Sequence, residues 1–121
     1  MTFNEAEALL AVHLEELGLH FESQYLYCPG RKFRADFAVW NRKAKNWREY
    51  GTHETTRFAL IEVQGGIYSK QAHGSITGIL KDNERLFEAF RNHWPMIRFT
   101  PDQVTDGTAK ALIAEALGRE P

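Results

Sequence analysis

Two apolar segments of this chain each carry a carboxylate where a strand would bury it. They read Lys32-Phe33-Arg34-Ala35-Asp36-Phe37-Ala38-Val39-Trp40 and Phe58-Ala59-Leu60-Ile61-Glu62-Val63-Gln64-Gly65-Gly66. Burying an ionised carboxylate costs several kcal/mol unless a cation or a metal offsets it. A fold that accepts these segments as neighbouring strands must therefore bring Asp36 and Glu62 to something positive.

The rest of the chain punctuates itself around those strands. Phe3, Glu7, Leu10, Leu14 and Leu17 recur at alternating spacings of four and three, one face of a helix that Gly18 closes. Glu7 falls on that apolar stripe, whereas Glu5, Glu15 and Glu16 do not. A strand is expected at Glu22–Cys28, then a Pro29-Gly30 turn, then the Asp36 strand, together a hairpin. Residues 41–56 are polar and basic with Trp47 and Tyr50 interleaved, and read as a loop or projecting arm. After the Glu62 strand, a helix is expected over Ile76–Asn92, its apolar stripe being Ile76, Ile79, Leu80, Leu86, Phe87 and Phe90. Pro95 stops it. Met96–Phe99 reads as a short strand and Thr108–Leu117 as a last helix ended by Gly118. The order α-β-β-β-α-β-α implies a mixed sheet covered by helices, with its last two strands parallel across the β-α-β crossover.

At 121 residues the chain is read as a single domain, residues 1–121. No apolar run reaches the ~18 residues of a membrane span. The acidic start, Asn4-Glu5-Ala6-Glu7, is unlike a secretory leader. The single cysteine, Cys28, excludes an internal disulfide and a cysteine-based zinc cage, and suits a reducing cytoplasm. A net charge of −1 gives no support for nucleic-acid binding, so a DNA-facing surface would have to be a local basic patch.

Alternate residues of a strand share a face. On adjacent strands Asp36 and Glu62 would converge, and oxygen-only donors of this kind suit Mg²⁺ or Mn²⁺. Such an ion lowers the pKa of a bound water and stabilises charge on a reacting phosphate, so phosphodiester hydrolysis fits the equipment. Glu7, on the buried side of the first helix, could reach the same point. The plainer alternative is that these acids are paired with cations such as Arg34 and Arg57. The histidines show no zinc-binding spacing, and neither a Gly-x-Ser-x-Gly elbow nor a phosphate-binding loop is present.

With Ala35-Asp36 on one strand, Glu62-Val63-Gln64 on the next and Glu7 on the first helix, the chain resembles the PD-(D/E)XK nuclease superfamily. It is similar in pattern to small phage and bacterial endonuclease-like domains related to Holliday-junction resolvases and VRR-type nucleases. Lys32–Ala38, Glu62–Gly66, Lys81-Asp82 and Arg98-Phe99-Thr100 carry that resemblance, which covers nearly the whole chain except residues 41–56. It implies a restriction-endonuclease-like αβββαβ(α) three-layer fold with a mixed central sheet, in a bacterial or phage-infected cell. It implies a Mg²⁺- or Mn²⁺-dependent endonuclease acting on DNA, with Asp36, Glu62 and the Val63 carbonyl holding the metal. The family's lysine is replaced by Gln64, which can hydrogen-bond a water but carries no charge. Lys81 is the preferred substitute, with Arg85 and Lys70 behind it, and Glu7 assists. The family's proline before the aspartate is Ala35 here.

Lys70 and His73 in the glycine-rich stretch 65–78 would face a backbone phosphate. The arm with Arg42, Lys43, Lys45, Trp47 and Arg48 would contact phosphate and stack on bases. No sequence-reading motif is present, which favours recognition of DNA shape or of a junction. Cutting both strands would call for a homodimer. The rival expectations are a catalytically inactive nuclease fold used as a DNA-binding or protein-interaction module, and an α/β protein whose acids sit in structural salt bridges.

Overall fold

A computed structural model describes residues 3–41, 57–64 and 76–117. The elements are α1 (Phe3–Glu16), β1 (His20–Leu26), β2 (Arg34–Trp40), β3 (Phe58–Val63), α2 (Ile76–Arg91), β4 (Met96–Phe99), α3 (Pro101–Thr105) and α4 (Thr108–Leu117). They build a mixed α/β fold around a four-stranded sheet of order β1-β2-β3-β4. β1 runs antiparallel to β2 and β2 to β3, whereas β3 and β4 are parallel, as the crossover predicts. The basic arm at residues 42–56 and the glycine-rich segment at 65–75 lie outside the described residues, and with them Arg42, Lys43, Lys45, Trp47, Arg48, Lys70 and His73.

One face of the sheet is hydrocarbon. Phe37 and Val39 of β2, Ala59, Ile61 and Val63 of β3, and Phe99 pack against Ala6, Leu10 and Leu14 of α1 and against Val104, Ala109, Ile113 and Leu117 of α3 and α4. α1 ends as its sequence dictates. Gly18 takes a left-handed φ of 70°, while the Gly18 and Leu19 amides donate to the Glu15 and Leu14 carbonyls, and Leu19 buries beneath the turn.

α3 is an addition to the expected order. Thr100 accepts from the Gln103 amide at 3.2 Å and Gln103 Oε1 accepts from the Thr100 amide at 2.9 Å, a reciprocal capping box with Pro101 at the first helical position. The string Thr-Pro-Asp-Gln carried that signal in the sequence.

The other face is covered by α2. The apolar stripe of α2 faces outward: Ile76, Ile79, Leu80, Leu86, Phe87 and Phe90 are all exposed. What α2 turns to the body is Asp82, Arg85, Glu88 and Ala89, of which Glu88 and Ala89 are buried. The physical reason lies in the sheet. Glu62 and Arg98 pair with each other, and the polar side of α2 adds Arg85 to Glu62 and to the Arg34 carbonyl and Asp82 to Arg98.

Apolar contact on this face comes mainly from aromatics nearer the strands' other end. Trp94 packs edge-on against Tyr25, Trp40 and Phe58, with ring centroids 5.1–5.8 Å apart. Leu60, Ala38 and Ala89 complete that cluster.

Candidate active site

β2 and β3 pair in register from Trp40↔Phe58 to Phe37↔Ile61. One step further, the Val63 amide donates to Asp36 Oδ2 at 2.8 Å. The Asp36 side chain thus takes a place at the end of the ladder, half-buried between the strands. Glu62 projects from β3 on the α2 side, with its side chain only 12% exposed. The two acids lie in one electrostatic neighbourhood, where the Asp36 charge helps raise the pKa of Glu62.

Glu7 reaches the same neighbourhood from α1. Gln24 Nε2 donates to Glu7 Oε1 at 2.9 Å, and the Glu7 charge bears on Asp36. Gln24 stands opposite Asp36 in the β1–β2 register, between the pairs Ser23↔Phe37 and Tyr25↔Ala35. Its φ of 51° is unusual for a side chain of this size, and it breaks the ladder at this rung. The amide side chain helps hold Asp36 ionised. Sequence reasoning had no signal for Gln24, because nothing in a glutamine announces a left-handed backbone.

Two arginines face the acids. Arg85 of α2 forms an ion pair with Glu62 Oε2, and its Nη2 also donates to the Arg34 carbonyl at 3.1 Å. Its own carbonyl accepts from the Tyr27 hydroxyl at 3.1 Å, which fixes the helix at that turn. Arg98 of β4 donates to Glu62 Oε1 at 3.2 Å and forks onto both oxygens of Asp82 at 2.8 and 2.7 Å. Beside them, Arg31 pairs with Glu84 and lies 4.4 Å over the Phe33 ring.

Burial is the main cause that lifts the Asp36 carboxyl above its ordinary range. Glu7 adds to the shift, while the Val63 amide and Arg85 oppose it. Glu62 is likewise lifted chiefly by burial, with Asp36 adding and Arg85 and Arg98 pulling back. Arg98 is held more firmly protonated, first by its bonds to Asp82. Two neighbouring carboxyls with raised pKa values at a strand end mark a candidate functional site.

The sequence-predicted residues thus divide. Glu7, Asp36, Glu62 and Val63 come together. Gln64 follows directly, and its amide donates to the Phe99 carbonyl at 2.7 Å, continuing the pairing with β4. Lys81 is exposed on α2, and it is Arg85, one turn on, that meets Glu62. Arg98 and Asp82 were legible only as part of a resemblance, since no spacing rule links them to Glu62.

The donors fit a hard divalent cation in kind: oxygen only, two carboxylates beside a main-chain segment, with water for the rest. Among the described residues no group of three or more His, Cys, Asp or Glu side chains is set to hold a metal ion. Such an ion would therefore rest on Asp36, Glu62 and the Val63 main chain, with Glu7 outside. No protein-family model, curated protein or solved structure matches this chain. Among the described residues no helix is long and apolar enough to cross a membrane.

Proposed function

We propose that this chain is a metal-dependent nuclease of the restriction-endonuclease-like, PD-(D/E)XK type, hydrolysing phosphodiester bonds in DNA. One observation carries the reading: among the described residues, the site gathers more acids than arginines. Glu62 and Asp82 pair with Arg85 and Arg98, the Asp36 charge bears on Glu62 and the Glu7 charge on Asp36, while Arg34 places its Nη1 on the Gln24 carbonyl. A self-sufficient structural network matches its charges, because unpaired buried acids are costly. An acid excess at a splayed strand end suits a cation from outside. The element order, the parallel β3–β4 pair and the positions of Asp36 and Glu62 support the same reading.

Bound there, Mg²⁺ or Mn²⁺ would make a water more acidic and offset charge on the phosphoryl oxygens. The chain's own groups would do the rest. The Val63 amide orients Asp36. Glu62 is aimed by β3, and Arg85, rather than Lys81, would take over the family lysine's action on developing negative charge. Gln64 would orient water by hydrogen bonding, with Glu7 and Gln24 setting the charge on Asp36. Lys70, His73 and the arm residues Arg42, Lys43, Lys45, Trp47 and Arg48 are proposed to hold the DNA backbone and bases. Cytoplasmic action accords with the single reduced cysteine.

A second reading has its own observation. Both oxygens of Glu62 are engaged by arginines, as they would be in a catalytically inactive module that keeps the fold for binding. The test sets wild type beside Glu62→Ala and Asp36→Asn on four-way junction, flap, single-stranded and duplex DNA, in Mg²⁺, Mn²⁺ or EDTA. Cleavage should require metal and fall by at least ~100-fold in either variant. Tight metal-independent binding without cleavage would establish the inactive module. With neither binding nor cleavage, the acids revert to structure.

A further inference from the structure

The outward face of α2 is too large and too ordered in its chemistry to be left to water. Ile76 and Phe90 are 77% exposed, Leu80 59%, Phe87 58%, Ile79 48% and Leu86 39%. Together these side chains present roughly 700 Å² of apolar surface, taking large apolar residues at about 150–250 Å² each. Monomeric proteins seldom leave more than a few hundred Å² contiguous. One partner's share of a stable interface is about 800 Å².

The stripe is also symmetric about its centre. Asn83, exposed, is the one polar residue in it. Reading outward from Asn83, Leu80 and Leu86 lie three residues away on either side, Ile79 and Phe87 four, and Ile76 and Phe90 seven. An antiparallel copy of the same helix therefore sets Leu80 against Leu86, Ile79 against Phe87 and Ile76 against Phe90, with Asn83 meeting Asn83 on the two-fold axis. Such an isologous contact is self-complementary by construction. The central amide discriminates between occupants. A carboxamide donates and accepts, so it satisfies itself across a two-fold, whereas under an apolar partner it would be buried unpaired. A polar residue at one core position of a helix pair also fixes register. No charged side chain interrupts the stripe.

We infer that a second copy of this chain covers α2, through an antiparallel α2–α2 contact centred on Asn83. The inference stands apart from the chemistry of the site, because the helix pairs with Glu62 and Arg98 through Arg85 and Asp82, neither of which belongs to the stripe. If both hold, each dimer carries two candidate sites related by the two-fold, one for each strand of a symmetric DNA substrate.

The test is sedimentation velocity on the full chain from about 1 to 100 μM, with Phe87→Glu and Leu80→Glu alongside. Wild type should sediment at twice 13.9 kDa. Each glutamate variant should weaken association by at least ~100-fold while leaving the circular dichroism unchanged, since it alters only exposed helix surface. Independently, Asn83→Cys should form a disulfide-linked dimer on mild oxidation, and Lys81→Cys should not. A monomeric wild type across that range overturns the proposal, as does a dimer that survives Phe87→Glu and leaves Asn83→Cys uncrosslinked. DNA cleavage assays bear on neither outcome.

Discussion

The two faces of the sheet are fastened by different physics. α1 and α4 are held by interlocking hydrocarbon, with Leu10, Leu14, Phe37, Ile61 and Ile113 essentially without solvent contact. α2 is held largely by side chains that reach: Arg85 to Glu62, Arg98 to Asp82, the Tyr27 hydroxyl to the Arg85 carbonyl, and Cys28 Sγ to Glu88 Oε2 at 3.1 Å. Burial on the first face is non-directional and is not weakened by charge screening. On the second, a few ion pairs carry the attachment, and their worth depends on how well each partner is desolvated. A chain so divided places stability on one side and adjustable charge on the other.

The sharpest way to break that contrast is at Phe37, on the dry face. Phe37→Ala should destabilise the protein by about 4 kcal/mol in chemical denaturation, and to the same extent in low and high salt. A loss below about 1.5 kcal/mol would mean that the dry face is not the main support.

Next comes Arg98, which serves two acids at once. Arg98→Met should cost about 2–3 kcal/mol, allowing for an Asp82 that is about one third exposed. Adding Glu62→Gln should recover part of that loss, because the stranded charge is then removed. No recovery would show that Arg98 acts by packing.

The smallest effect is expected at Asp36, and its sign is the point. The folded carboxyl has a raised pKa, so the native state holds its proton more tightly than the unfolded chain does. Stability contributed at this residue should therefore fall as pH rises from the ordinary aspartate range through the raised value. Asp36→Asn keeps an acceptor for the Val63 amide and removes the charge. At pH 7–8, without metal, it should leave stability unchanged or raise it by up to about 1 kcal/mol. The gain should vanish below about pH 4, where the wild-type carboxyl is itself protonated. A clear loss at neutral pH would instead make Asp36 half of a structural ion pair.

Much of the fold was legible because its signals are local. The stripe that carries Leu10 and Leu14, the left-handed Gly18, the Pro29-Gly30 turn and the alternation through Phe37 and Val39 each depend on a few neighbouring residues. The convergence of Asp36 and Glu62 followed from alternation plus adjacency. The roll of α2 did not, because periodicity locates an apolar stripe without saying what it faces. That choice is made by Glu62 and Arg98, which lie on other strands and are distant in sequence. The same non-locality hid Gln24. Lys81 and Arg85 differ by one turn, and only the position of the helix over β3 decides which of them meets the carboxylate. α3, by contrast, was written in Thr100-Pro101-Asp102-Gln103 and went unread.

The fork between Arg98 and Asp82 has a consequence for how the chain finds its fold. Collapse alone would favour rolling α2 by half a turn, sinking Ile76, Leu80, Phe87 and Phe90 onto the sheet. That alternative would leave the Glu62–Arg98 pair beneath hydrocarbon without its further partners, and would put Asp82 and Arg85 in water. The ion pairs thus work as a rotational key: they choose between two docked states of one helix, and they keep its greasy side in hand for assembly.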